Sequence, residues 1–131
     1  MTDLELVKEA LIARKKSYSP YSKFKVGAAL EAKNGNVYLG TNIENASFSA
    51  TNCAERTAFY NAIINGEKDF LKIAVVGGKD DEITDFCLPC GVCRQVMSEF
   101  CNKDFEIICF NGKKVKKFSL DEILPFGFNL E

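Results

Sequence analysis

Two short stretches, Cys53-Ala54-Glu55-Arg56 and Pro89-Cys90-Gly91-Val92-Cys93-Arg94, carry the residue types that can do chemistry in this chain. They hold three thiols able to share one metal ion and one carboxylate able to move protons. Cys90 and Cys93 have the Cys-x-x-Cys spacing that sets two sulfurs on one side of a helical first turn. The same spacing also serves redox pairs. Cys53 falls at a second predicted helix start. Two helix amino termini aimed at one point favour thiolate over thiol, and a metal requires the thiolate. The sequence has no histidine. A metal site must therefore use thiolates and carboxylates, and proton transfer must use something other than imidazole.

Charge narrows the roles. A Zn2+ ion with three thiolates keeps one net negative charge, which hinders deprotonation of a bound water. Arg56 follows Cys53 by three residues, on the same helix side, and can donate hydrogen bonds to the sulfurs; the plain alternative is a solvated helix charge. Glu55 has three readings: a fourth ligand, an exposed helix residue, or a general base beside the metal. Cys87 makes a further Cys-x-x-Cys with Cys90. A closed structural site of Cys53, Cys87, Cys90 and Cys93 is thus the rival arrangement, disfavoured because Cys87 precedes Pro89 in the approach to the helix. Cys87, Cys101 and Cys109 read as ordinary buried cysteines.

These residues need elements to position them. Residues 4–16 read as an amphipathic helix with Leu4, Val7, Leu11 and Ile12 on one stripe. Residues 17–21 break it. Residues 24–32 alternate as a strand, with Phe24, Val26, Ala28, Leu30 and Ala32 on one side and Gly27 and Ala29, small enough to admit a helix, on the other. Asn34-Gly35 is a hairpin signal, and residues 37–43 return. Residues 46–52 form a loop ending in Asn52, a plausible cap for a helix over 53–65. Residues 71–76 suit a buried central strand bounded by Gly77-Gly78. A helix over 91–101 turns Val96, Met97 and Phe100 to the core. Strands follow at 105–110 and 115–118 around Asn111-Gly112, then a short helix at 120–124 and an apolar tail. The order implies an α/β fold: helices on both faces of one mixed sheet of about five strands.

Length and composition set the class. The 131 residues suit one domain, 1–131. The net charge of −1 gives no basic field for a polyanion, which argues against nucleic acid as a partner. No apolar run approaches the roughly 20 residues that span a membrane. The first residues lack the build of a signal peptide, so a cytoplasmic protein is expected, where clustered cysteines serve metal or catalysis.

Cys-Ala-Glu-Arg-Thr followed by Pro-Cys-Gly-x-Cys-Arg-Gln resembles the small homotetrameric, three-cysteine cytidine deaminases. The likeness extends to Tyr18-x-Pro20-Tyr21-Ser22-x-Phe24-x-Val26-Gly27-Ala28-Ala29 and to Asn42-Ile43-Glu44-Asn45-Ala46. It implies the family's three-layer α-β-α sandwich, with one Zn2+ per subunit on Cys53, Cys90 and Cys93. Glu55 would take a proton from zinc-bound water, deliver it to N3 of cytosine and help ammonia leave. By the same resemblance, Asn42 and Glu44 would hold the ribose 3′-hydroxyl, and Phe24 would pack on the base. Backbone near Ala54 and Cys90 would read the polar edge of the base. Ala46 and Phe48 would approach the ribose 5′ end from a neighbouring subunit, and Phe128 would cover the base from a neighbour. Two positions depart from the pattern: Phe48 stands where many relatives have Tyr, and Leu88 where Ser is common.

The leading expectation is zinc-dependent deamination of cytidine and deoxycytidine, in nucleoside salvage. A deaminase of an aminocytosine nucleoside antibiotic, a non-catalytic zinc-stapled module and an editor of polynucleotides are the alternatives. Glu55 beside the metal opposes the module, and the charge balance opposes the editor. Phe126, Phe128 and Leu130 raise a separate question, because something must cover them. Their own core is the plain answer; a homotetramer with shared active sites is the other.

Overall fold

The computed structural model describes residues 1–130; Glu131, the last residue of the expected domain, lies outside the described residues. Helix α1 (Asp3–Arg14) is followed by strands β1 (Phe24–Ala32) and β2 (Val37–Thr41), a 3-10 turn (Phe48–Ala50) and α2 (Ala54–Ile64). Then come β3 (Phe70–Lys79), α3 (Gly91–Phe100), β4 (Glu106–Phe110), β5 (Val115–Ser119) and α4 (Leu120–Ile123). The strands form one sheet in the order β2-β1-β3-β4-β5. Among the paired strands of the described residues only β3 and β4 run parallel, with Lys72 opposite Glu106 and Val75 opposite Cys109. The crossover between them carries α3, as a parallel pair requires.

Alternation along β1 divides the core. Ala28, Leu30 and Ala32 face a cluster containing Ala54, Ala58, Phe59 and Ala62 of α2 and Met97 of α3. Ala29 faces Leu6, Val7 and Ala10 of α1 on the opposite side. The result is the expected three-layer arrangement. Phe59 ties the first cluster together: its ring meets Phe70 edge-on at 5.1 Å and stacks near Phe100 at 6.3 Å. That packing fixes α2 relative to α3, the two helices that begin with the candidate ligands.

Both main helix contacts depend on a missing Cβ. At Gly27 a methyl group would lie 2.1 Å from the Ala10 carbonyl oxygen, so α1 rests directly on β1 there. At Gly40 it would lie 2.3 Å from the Ala54 carbonyl oxygen, so the first turn of α2 rests on β2. Gly27 is the small position the alternation marked for a helix; Gly40 carried no such mark.

Several local expectations change. The buried face of α1 is Leu6, Val7, Ala10, Ala13 and Arg14, while Leu4 and Ile12 are half-exposed. Close seating on Gly27 selects the face with small residues over the one with the largest side chains. Helix α1 starts at a capping box of Thr2 and Glu5 that the stripe reading passed over. Asn52 does not cap α2: Cys53 occupies that position, and the Asn52 amide donates to Thr57 Oγ1 at 3.2 Å. Strand β3 runs through Gly77-Gly78 to Lys79, since β1 pairs with it along that whole length. Strand β2 ends at Thr41, and Ile43 forms isolated bridges to Tyr18 and Asn52 instead. Phe100 is 38% exposed, only partly facing the core. Among the described residues no helix is long and apolar enough to cross a membrane.

Candidate active site

Cys53 is the N-cap of α2 and Cys90 the N-cap of α3, and neither side chain caps its helix. An N-cap side chain ordinarily accepts from the first-turn N–H groups. Here both sulfurs are left free for another purpose, each at the positive end of a helix. Cys90 Sγ lies 3.8 Å from Cys53 Sγ and 3.4 Å from Cys93 Sγ, and all three sulfurs lie within 4.8 Å of one another. Tetrahedral zinc with bonds of about 2.3 Å sets its sulfurs about 3.8 Å apart. The donor set therefore fits zinc: three thiols converge, leaving the fourth position open. This is the only such group of potential ligands among the described residues, and Cys87 is not in it. The four-thiolate alternative fails on that placement. Cys87 turns instead toward Gly77, where an added Cβ would lie 2.8 Å from its sulfur.

Charge within the cluster is graded. The Cys53 thiol is lowered to about 5 by a hydrogen bond from Cys93 and by Arg56, with burial opposing. Arg56 Nη2 donates to Cys53 Sγ at 3.0 Å. Arg56 is thus a sulfur partner and not a solvated helix charge. The same cysteine contact pushes Cys93 up, and its burial adds to the rise. Cys87 and Cys109 are each pushed up to about 12, chiefly by burial. Their thiols stay protonated and inert near neutrality.

Glu55, in the first turn of α2, is 4% exposed. Burial raises its carboxyl to about 7; its own backbone N–H opposes this and the neighbouring Cys53 charge adds to it. The exposed-residue reading of Glu55 is excluded. A carboxyl poised near neutrality can both take and give a proton at working pH.

A second group of side chains surrounds Phe24. The stretch Asn42–Glu44 is pinned from two sides: Glu44 N donates to Tyr18 O at 2.8 Å, and Ile43 exchanges 3.0 Å bonds with Asn52. Asn42 Oδ1 accepts from Val26 N at 3.0 Å and from Ser17 Oγ at 2.5 Å, while Nδ2 donates to Phe24 O at 2.8 Å. Glu44 Oε1 accepts from Tyr21 N at 3.0 Å and Ser22 N at 3.2 Å, and Oε2 accepts from the Ser22 hydroxyl. Those bonds hold the Glu44 carboxyl below its ordinary value, the Ser22 hydroxyl first among them, with desolvation opposing. The Ser22 hydroxyl also accepts from Phe24 N at 3.0 Å. Ser17 and Ser22 therefore fix the Asn42 and Glu44 side chains, a role the motif reading left unassigned; their place beside the tyrosines was the only signal. The Phe24 ring lies over Gly77 next to Cys87, since a Cβ there would be 3.1 Å from Phe24 Cε1.

The remaining candidates are spread over the surface or buried. Ala54 is fully buried at the start of α2; its carbonyl rests against Gly40, leaving first-turn N–H groups as the unpaired polar atoms. Ala46 is exposed. Phe48 on the 3-10 turn is 80% exposed and Phe128 on the tail 64%.

Residues 1–109 match the family described as "Cytidine and deoxycytidylate deaminase zinc-binding region". The chain is 44% identical to a cytidine deaminase of Sporosarcina psychrophila over 97% of its own length and 91% of the relative's. It is 35% identical to a blasticidin-S deaminase of Bacillus cereus, over 96% of this chain and 91% of that one. Among solved structures, a cytidine deaminase from Burkholderia pseudomallei superposes with a TM-score of 0.90 at 44% identity, covering 98% of this chain and all of the other.

Proposed function

The chain belongs to the cytidine deaminase family of zinc hydrolases, and from that premise we propose that it converts cytidine and deoxycytidine to uridine and deoxyuridine with release of ammonia. The observation that carries the reading is the pairing of a three-thiol cluster with the buried carboxyl of Glu55, two residues from Cys53. Zinc on Cys53, Cys90 and Cys93 supplies the Lewis acidity that makes water nucleophilic near neutral pH. Glu55 takes one proton from the water that attacks C4 of cytosine and passes it to N3, then moves the remaining proton of the new C4 hydroxyl to the amino group, which leaves as ammonia as the C4–N bond breaks and the carbonyl forms. Arg56, bonded to Cys53, offsets the thiolate charge. First-turn N–H groups near Ala54 and Cys90 face the polar edge of the base, and Phe24 packs on its ring.

The sugar reading follows from hydrogen-bond capacity. Asn42 has spent its acceptor on Val26 and Ser17 and one N–H on Phe24, so one N–H remains. Glu44 Oε2 accepts only from Ser22, so acceptor capacity remains. A hydroxyl between them accepts from Asn42 and donates to Glu44, which is what a free 3′-hydroxyl offers. A 3′-phosphate would meet the Glu44 carboxylate, which disfavours a polynucleotide. We assign Phe128, Ala46 and Phe48 to a neighbouring subunit's pocket in a homotetramer, because their exposed side chains need cover. The free thiols suit the cytoplasm.

The test is ultraviolet loss of cytidine by the zinc-loaded protein and by Glu55→Gln. Expected is full zinc content and a fall in turnover of roughly 10²–10⁴-fold in the variant. A variant near wild-type rate sinks the proton-shuttle role, and a wild-type protein inert on cytidine sinks the activity. The likeness to a blasticidin-S deaminase supports a second reading, deamination of an aminocytosine antibiotic. Direct competition between cytidine and blasticidin S decides between the two by kcat/KM.

A further inference from the structure

Arg94 and Gln95 follow the ligand Cys93 directly, and no step of the chemistry uses them. Both reach the carboxyl-terminal segment through its backbone. Arg94 Nε donates to Pro89 O at 2.7 Å, and Nη1 donates to Ile123 O at 2.6 Å. Gln95 Nε2 donates to Phe128 O at 3.1 Å. Consecutive residues of α3 thus staple both ends of the stretch 123–128. Within that stretch Phe126 has φ of 59°, the left-handed region that a bulky residue seldom adopts. The Phe126 and Leu130 side chains are almost fully exposed and Phe128 mostly so. The tail is therefore held by its carbonyls while its aromatic side chains stay free, the opposite of a segment packed on its own core.

We infer that Gln95 is a positioning residue: its bond to the Phe128 carbonyl sets that ring in the pose that closes a neighbouring subunit's nucleoside pocket. This rests on the shared-pocket reading above. Each subunit's metal-bearing helix then governs substrate binding next door. Arg94 fixes the other end of the stretch and ties it to the carbonyl preceding Cys90. Loss of the Gln95 bond frees the ring to sample other poses, which costs binding in the neighbour and leaves proton transfer at Glu55 intact.

Gln95→Glu keeps the shape and removes the donor; Gln95→Ala removes both. For each, zinc content, kcat and KM for cytidine are measured on the intact assembly. Expected is full zinc, kcat within about twofold, and KM raised about three- to tenfold, the worth of one neutral hydrogen bond. Gln95→Ala combined with Phe128→Ala should raise KM no further than Phe128→Ala alone. Oligomers co-assembled from Gln95→Ala and Glu55→Gln subunits provide the readout that general destabilisation would not move. Their only working sites belong to Gln95→Ala subunits, and tails donated by Glu55→Gln subunits should bring KM back toward wild type. Unchanged KM in both single variants, or a raised KM that mixing does not lower, overturns the role of Gln95. A Phe128→Ala protein with wild-type KM overturns the shared pocket itself, so the two failures are distinguishable.

Discussion

Gly40→Ala is the sharpest test of how the sheet sets the metal site. Gly40 sits in β2 opposite Ala28, under the first turn of α2. A Cβ there would stand 2.3 Å from Ala54 O, 2.4 Å from Ala58 N and 2.9 Å from Ala58 Cα. All three are backbone atoms, so no side chain can swing aside. Relief requires α2 to lift from the sheet by about 1 Å, the shortfall from ordinary van der Waals contact. Overpacking of this kind costs about 1–3 kcal/mol, which a domain of this size can survive. The site tolerates less. Cys53, Ala54 and Glu55 ride on the displaced turn, while Cys90 and Cys93 stay on α3. Zinc–sulfur distances are held to about 0.2 Å in a sound site, and a shift of about 1 Å in a reacting group can cost about 10²-fold. The expected result is a folded protein with weakened zinc retention and kcat/KM at least about 100-fold lower, followed by chelator-competition and cytidine turnover. Gly35→Ala is the control. Gly35 has φ of +94° and nothing within 4 Å of its Cβ position, so it should lose about 1 kcal/mol of stability and keep wild-type kinetics. Full zinc and unchanged kcat/KM in Gly40→Ala would refute the seating of α2 on Gly40.

The thiol assignments and the acid limb of stability give two more outcomes. Cys53→Ala, Cys90→Ala and Cys93→Ala should each lose zinc, while Cys87→Ala keeps one ion per chain; metal analysis checks this, and zinc loss from Cys87→Ala would contradict the three-thiol centre. Asp3 bonds Lys72 at 2.9 Å and Lys117 at 3.2 Å. Burial raises its carboxyl, but the two lysines outweigh it and hold it below 3.8. A carboxyl depressed in the folded state adds stability above its unfolded value, and that stability is lost as pH falls through the lower folded value. Asp3→Asn should therefore cost about 0.5–1 kcal/mol at pH 7, with the gap closing below about pH 4 in urea melts. A gap of constant size down to pH 2 would show that the ion pairs contribute nothing.

Much of the site was legible because its markers are local. Cys53, Cys90 and Cys93 announce themselves by residue type and spacing, and Glu55 and Arg56 by adjacency to Cys53. Strand β1 spans Phe24–Ala32, as the alternation implied, because alternation is a short-range signal. The face of α1 did not, since Leu4 and Ile12 lost to Ala10 and Ala13 once close seating on Gly27 decided the matter. The cap of α2 was misplaced for a related reason: Asn52 has the better capping side chain, but the sheet and the Ile43 bridge bring the helix start to Cys53.

The sequence by itself marked the candidate ligands, the candidate proton carrier and the alternating core, because each is written in residue types at fixed short spacing. Only the tertiary structure decided that Cys87 stands apart while Cys53 joins Cys90 and Cys93 across 37 residues of chain. It alone buried Glu55 deeply enough to raise its carboxyl to about 7. It alone brought Ser17 and Ser22 onto Asn42 and Glu44, and Gln95 onto the tail. Those outcomes depend on how closely two helices settle on one sheet, and that distance is set by contacts between residues far apart in the chain, which no local pattern encodes.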